Sequence, residues 1–256
     1  MSKLADRIRR VSRTAPAPLG FTAAAATPQQ PTMLCLVRLS GPDGGKAAEA
    51  GARGADGVIV DGLDAGRAPE LVARAKGVIV GARLGRAGRP EAAALRQAGV
   101  DFLVVDSAAA AEVMLEEGLG FVMALGKDAD DATLRLLGDL SLDALLLGAQ
   151  EAPMTVGRLL EVRRLAALAR TPLLVEVTAG AEAAHLQVLR DSGAVGVVAD
   201  GSALGRLEAL RRTIASLPAR RRRREERAEA VLPVQLMTEH EEAEEEEEGR
   251  RQRAIR

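Results

Sequence analysis

Residues 173–199 read LLVEVTAGAEAAHLQVLRDSGAVGVVA. Two short apolar runs, 173–177 and 195–199, bracket a stretch of helical character that stops at Gly193, where a left-handed cap is wanted before the next strand. Both runs are nearly continuously apolar rather than alternating with polar residues. Strands of that kind are covered on both faces, as in a parallel sheet with helices packed outside it.

Working outward from this unit, the same rhythm recurs along the chain. Six further apolar runs, at 33–39, 57–61, 77–82, 101–106, 120–125 and 142–148, precede it, and each is followed by a segment that reads as helix. Their starts lie about 19 to 31 residues apart, the length of one strand plus one crossover helix. Pro90 opens a helix over 91–98 that stops at Gly99, and Thr155 precedes a longer one over 156–170. Leu159, Leu160, Val162, Leu165 and Leu168 are expected to mark the buried face of that second helix. Eight strand-plus-helix units are what closes a parallel sheet on itself. The fold class expected is therefore α/β, a single (β/α)8 barrel of the TIM type spanning 33–218.

Residues 4–11 read as a short basic amphipathic helix expected to cover the bottom of the barrel, within a lead-in over 1–32. Asp6 and the lack of a cleavage-like region argue against a targeting peptide there. After Pro218 the composition changes abruptly. Residues 220–224 are basic, 239–248 almost wholly acidic and 250–256 basic again, with an apolar island at 231–237. Such blocks rarely fold alone, so 219–256 is expected to be a disordered charged tail and a candidate docking segment for a protein partner.

Apolar residues make up 47% of the chain, yet only Phe21, Phe102 and Phe121 are aromatic. The core must be aliphatic, and base stacking has almost nothing to use, so nucleic acid is not an expected partner. A formal charge of −1 gives no global field toward polyanions or membranes. Arg outnumbers Lys 31 to 4, read as coding bias or heat adaptation before any site. Cys35 is alone and lies in an apolar run, so a buried inert thiol is expected. No apolar run reaches 18 residues and no signal-like segment opens the chain, so a cytoplasmic protein with no membrane partner is expected. Its oligomeric state is left open.

In barrels of this kind the site forms where strands end at their C-terminal side. The polar residues there are Arg38, Asp61, Arg83, Asp106, Lys127, Gln150 with Glu151, Glu176 and Asp200. Carboxylates and cations converging on one mouth suit a small anionic metabolite, with Mg2+ on Asp61 and Asp106 if a metal is used. The bland alternative is that strand ends simply meet water. Glu176 has apolar neighbours, which favour a proton-carrying carboxyl, and is the candidate general acid or base. It competes with a structural role as an interior carboxylate paired with Arg38 or Arg83. Lys127 would bind an electrophile or form a Schiff base, although Asp128, Asp130 and Asp131 point to an exposed, neutralised lysine. Asp106 joins Glu176 and Lys127 in the candidate catalytic set.

Other motifs fall short. SGPDGGKA at 40–47 lacks the first glycine and the Mg2+-binding hydroxyl of a phosphate loop, leaving only a helix N-terminus with weak anion affinity. Gly81, Gly85 and Gly88 miss dinucleotide spacing. His185, His240 and Cys35 offer no zinc set, and no Ser-His-Asp set assembles.

The stretch 177–204, VTAGAEAAHLQVLRDSGAVGVVADGSAL, resembles the last two units of the phosphate-binding (β/α)8 barrels. That superfamily includes indole-3-glycerol-phosphate synthase, thiamine-phosphate synthase and the keto-deoxy-phosphogluconate aldolases. The resemblance implies that Ala179 with Gly180, and Gly201 with Ser202, offer backbone N–H groups to phosphate; Arg38 and Arg83, read from the strand ends, are the expected anion clamps. Asp200 departs from the pattern. It stands where the family has an apolar residue, and beside a phosphate it would need Arg206 or a metal to offset the repulsion. The resemblance implies a lyase, isomerase or synthase acting on a phosphorylated or carboxylated metabolite. The alternative is a degenerate barrel that has lost catalysis and works as an assembly module through its tail.

Overall fold

The computed structural model describes residues 2–12, 32–86, 88–126, 129–150 and 152–218. Lys127, Glu151 and the tail 219–256 lie outside the described residues. Eight parallel strands form a closed barrel: β1 Leu34–Leu39, β2 Gly57–Asp61, β3 Ile79–Arg83, β4 Phe102–Val105, β5 Gly120–Ala124, β6 Ala144–Leu147, β7 Leu173–Val177 and β8 Ala194–Asp200. They pair in chain order, and β8 returns to β1 with Cys35 opposite Val197. The helices are α1 Lys3–Ser12, α2 Gly44–Ala52, α3 Ala68–Arg74, α4 Arg89–Gln97, α5 Asp131–Gly138, α6 Val156–Ala169, α7 Ala183–Asp191 and α8 Leu207–Ala215. No described helix is long and apolar enough to cross a membrane.

Helix ends follow local chemistry. Asp43, Asp130 and Thr155 accept the N–H of Lys46, Thr133 and Arg158 and so cap α2, α5 and α6. Gly99, Gly118 and Gly193 take positive φ, 91°, 88° and 115°, at the turns into β4, β5 and β8.

Two expectations give way. The crossover from β4 to β5 is not an α-helix but one 3-10 turn, Ala111–Leu115, in which only Val113 is buried. This is the tightest spacing between strand starts, and it leaves no room for a helix antiparallel to the strands. On α6, Leu160 is not part of the buried face: it is 61% exposed, whereas Val162, Leu165 and Ala169 are buried. At 100° per residue Leu160 and Val162 lie about 200° apart, so one helix face cannot bury both.

The core has two parts. The outer one lies between strands and helices, built from residues such as Val37, Val60, Leu95, Leu134 and Leu186. The inner one fills the barrel with Leu34, Leu36, Ile59, Ile79, Phe102, Val104, Val122, Leu146, Leu174 and Val198. Gly81 makes space for the one aromatic ring of this inner core among the described residues: a Cβ there would lie 2.2 Å from Phe102 Cζ.

Helix α1 stoppers the bottom of this inner core with Leu4 and Ile8. Carboxylates at the starts of alternate strands hold it. Asp101 accepts the N–H groups of Lys3 and Leu4 at 2.9 and 3.0 Å. Asp143 accepts the Ser2 hydroxyl at 2.5 Å, and burial raises its carboxyl above the ordinary range. Asp56 accepts from Arg7 at 3.2 Å, Arg211 at 2.8 Å and the Cys35 N–H at 2.8 Å, joining α1, α8 and β1. Burial pushes the Cys35 thiol up to about 12, the inert state expected for it.

Candidate functional site

Side chains alternate along a strand, so the residues two steps above the inner core share its inward face. Above Leu36 stands Arg38, above Ile59 Asp61, above Gly81 Arg83, above Leu174 Glu176 and above Val198 Asp200. The barrel thus carries a charged layer directly over an apolar one, at the C-terminal ends of β1, β2, β3, β7 and β8.

This layer is tied together by Arg38. Its Nε and Nη2 both lie 2.9 Å from Asp61 Oδ2, and its Nη1 donates to Glu176 Oε1 at 3.3 Å. Arg83 approaches the same Glu176 oxygen, its Nη1 at 3.8 Å. Glu176 is therefore flanked by two guanidiniums, and the apolar setting suggested by its chain neighbours is not what its carboxylate meets. The hydrogen bond to Asp61 raises the Arg38 pKa further, so this cation is permanent. Asp61 and Arg83 are cross-strand partners on β2 and β3. The second oxygen of Asp61, Oδ1, is buried without a hydrogen-bond partner among the described residues. The four side chains keep between 22% and 36% of their surface exposed, so the layer is reachable from solvent.

The remaining candidates are placed around it. Asp200 pairs in register with Arg38 across β1 and β8, and its Oδ1 accepts the Ser202 N–H at 2.7 Å. Hydrogen bonding from the Ser202 side chain and then from its backbone N–H, followed more weakly by the charges of Arg38 and Lys46, holds the Asp200 carboxyl below the ordinary range. The Ser202 N–H is thus already engaged by a carboxylate of the same chain. Gly201 is buried where a Cβ would lie 2.6 Å from Leu39 Cδ2 and 2.7 Å from the Arg38 carbonyl, so close packing on β1 requires a glycine there. At Gly180 a Cβ would lie 3.7 Å from Arg206 Nη1, which puts a guanidinium beside the loop after β7. Asp106 is half-buried and caps its own turn, Oδ1 accepting the Ala108 N–H at 2.9 Å. Lys127 lies outside the described residues.

Gln150 turns away from the layer. It is buried in the loop before α6, with Nε2 donating to the Gly148 carbonyl and Oε1 accepting from Arg158 Nε. The α2 N-terminus is capped by Asp43 at 3.0 Å, and an open depression of about 270 Å³ lined by Leu39, Ser40, Gly41, Pro42, Asp43 and Lys46 lies beside it. Lys46 is the charged neighbour that strand-end reasoning did not single out; its place in the first turn of α2, shortly after β1, was the available signal. Among the described residues no three His, Cys, Asp or Glu side chains gather where they could hold a metal ion. Asp61 Oδ2 is held by Arg38 and Asp106 Oδ1 by a backbone N–H.

No protein-family model and no curated protein matches this sequence. In structure, the chain is similar to KGPDC from Streptococcus mutans, with a TM-score of 0.57 and 15% identity over 71% of this chain and 97% of that one. It is similar to 3-hexulose-6-phosphate synthase, with a TM-score of 0.54 and 19% identity over 72% of this chain and 98% of the other. It is also similar to orotidine 5'-phosphate decarboxylase from Pyrococcus horikoshii, with a TM-score of 0.56 and 16% identity over 72% of this chain and all of the other. At these identities the likeness is one of fold: the chain is an eight-stranded parallel TIM barrel, as those proteins are.

Proposed function

We propose that this barrel is an enzyme of the lyase, isomerase or synthase kind that binds a small oxyanionic metabolite at its mouth. The observation that carries the proposal is the position of Glu176 Oε1 between Arg38 at 3.3 Å and Arg83 at 3.8 Å. Two convergent guanidiniums over a water-poor apolar layer are an anion clamp, and a carboxylate between them is within reach of a ligand they hold. Glu176 then gives or takes a proton on the ligand atom next to the anionic group. Asp61 holds Arg38 in position, and its unpartnered Oδ1 accepts a ligand hydroxyl. The Gly180 loop with Arg206 receives the far end of the ligand, beside Gly201 and Ser202. Asp106 closes the remaining side of the mouth.

Two similar structures are named for phosphorylated compounds, 3-hexulose-6-phosphate and orotidine 5'-phosphate, which supports a phosphorylated ligand by fold analogy. Calorimetric titration with inorganic phosphate tests the reading. Saturable binding that weakens at least tenfold in Arg83→Ala is expected; no heat at millimolar phosphate overturns it.

A further inference from the structure

Within the anion-binding reading just given, the same geometry has a consequence for how the ligand enters. Glu176 occupies, in the free protein, the position between two guanidiniums that a ligand oxyanion needs. An incoming anion held by Arg38 and Arg83 would stand beside an ionised Glu176 and be repelled by it. The other charged groups facing this point do not relieve the conflict. Asp61 shares Arg38, Asp200 lies in register beside it, and Asp106, just past β4, is a further carboxylate. The cations on the far side, Lys46 and Arg206, face Asp200 and the Gly180 loop respectively.

We propose that the oxyanion binds between Arg38 and Arg83 together with one proton, which Glu176 takes from solvent as it gives up its two arginine partners. The carboxylate becomes a neutral carboxyl, the guanidinium contacts pass from Glu176 to the ligand, and no other bond changes. Glu176 is thereby an internal stand-in for the ligand's anion and becomes a proton donor only when the site is filled. An enzyme built this way holds its acid uncharged next to an anionic substrate and idle without one.

The experiment uses sulfate, a tetrahedral oxyanion that carries no titrating proton near neutrality. The full chain is titrated with sulfate by calorimetry at pH 6.5 in buffers of different ionisation enthalpy, and the slope of apparent heat against that enthalpy counts protons taken up. A positive slope in the wild type that vanishes in Glu176→Gln, with sulfate bound about tenfold tighter by that variant, is expected. Binding with no slope in the wild type, or a slope that persists in Glu176→Gln, overturns proton-coupled entry and leaves the mouth as an anion site. No sulfate binding by either protein overturns both readings. The wild-type slope alone is decisive if the variant fails to fold.

Discussion

Arg38 and Glu176 lie 138 residues apart in the chain, yet the Arg38 guanidinium donates to Glu176 Oε1 across 3.3 Å. Because β1 and β7 are separated by β8 in the closed barrel, this contact reaches over one strand instead of running along one ladder. It sets the arrangement on which the functional reading depends, and its removal has measurable effects on stability as well as on binding.

Arg38→Ala leaves Asp61 and Glu176 without their principal cation. Arg38 and Asp61 keep 36% and 25% of their side-chain surfaces in water, so solvent replaces part of what is lost. A destabilisation of about 1–2 kcal/mol is expected from urea unfolding. Arg38→Lys should recover little of it, since a single ammonium cannot donate to Asp61 and Glu176 in the same fork geometry.

The interior ring at Phe102 and the bare backbone at Gly81 are one packing unit. Gly81→Ala drives a methyl into the ring and is expected to destabilise the barrel by about 1–3 kcal/mol. Phe102→Ala empties the same space at about 3–5 kcal/mol. The double variant Gly81→Ala with Phe102→Leu should be more stable than the sum of its singles, measured by the same unfolding curves.

Helix α1 is held by a carboxylate that belongs to another element. Asp101→Ala removes the acceptor of two helix N–H groups, at 2.9 and 3.0 Å, and should cost about 1–2 kcal/mol. Amide exchange is the sharper readout: protection of Leu4 and Ile8 should fall by more than that of the interior strands, whereas uniform loss would mean that α1 is not a separable plug.

How much of this was legible beforehand differs by level. The eight apolar runs, the caps at Thr155 and Gly193 and the plug at Leu4 and Ile8 depend on neighbours near in sequence, so periodicity and turn chemistry reach them. Strand-end reasoning placed Arg38, Asp61, Arg83 and Glu176 at the mouth for the same reason, because strand alternation is local. It did not settle which partner each side chain takes. The residues beside Glu176 in the chain are apolar, but alternation turns them away and brings arginines from β1 and β3 against it. Asp200 engages the Ser202 N–H two residues on, a local turn contact that Asp favours, so turn chemistry was the available signal there. The short β4 to β5 crossover was misread because an Ala-rich segment has helix propensity even where the spacing leaves no room for a helix.

His185 gives a pH dependence with a definite sign. It is 8% exposed on α7, its Nδ1 has no partner among the described residues, and burial holds its imidazole below the ordinary range. The unfolded chain therefore binds a proton near pH 6.5 that the folded protein refuses. Stability is complete above that pH and falls as pH drops through it. The melting temperature should decline between pH 7.5 and 5.5 in the wild type and decline less in His185→Leu; equal slopes would remove His185 as the cause.

The central claim is that the mouth holds an oxyanion between two named arginines, and a crystal structure of the full chain soaked in phosphate tests it most directly. The account predicts tetrahedral density within hydrogen-bond distance of both Arg38 and Arg83, with Glu176 displaced from between them. Phosphate bound elsewhere, with Arg38 and Arg83 still closed on Glu176, would contradict it.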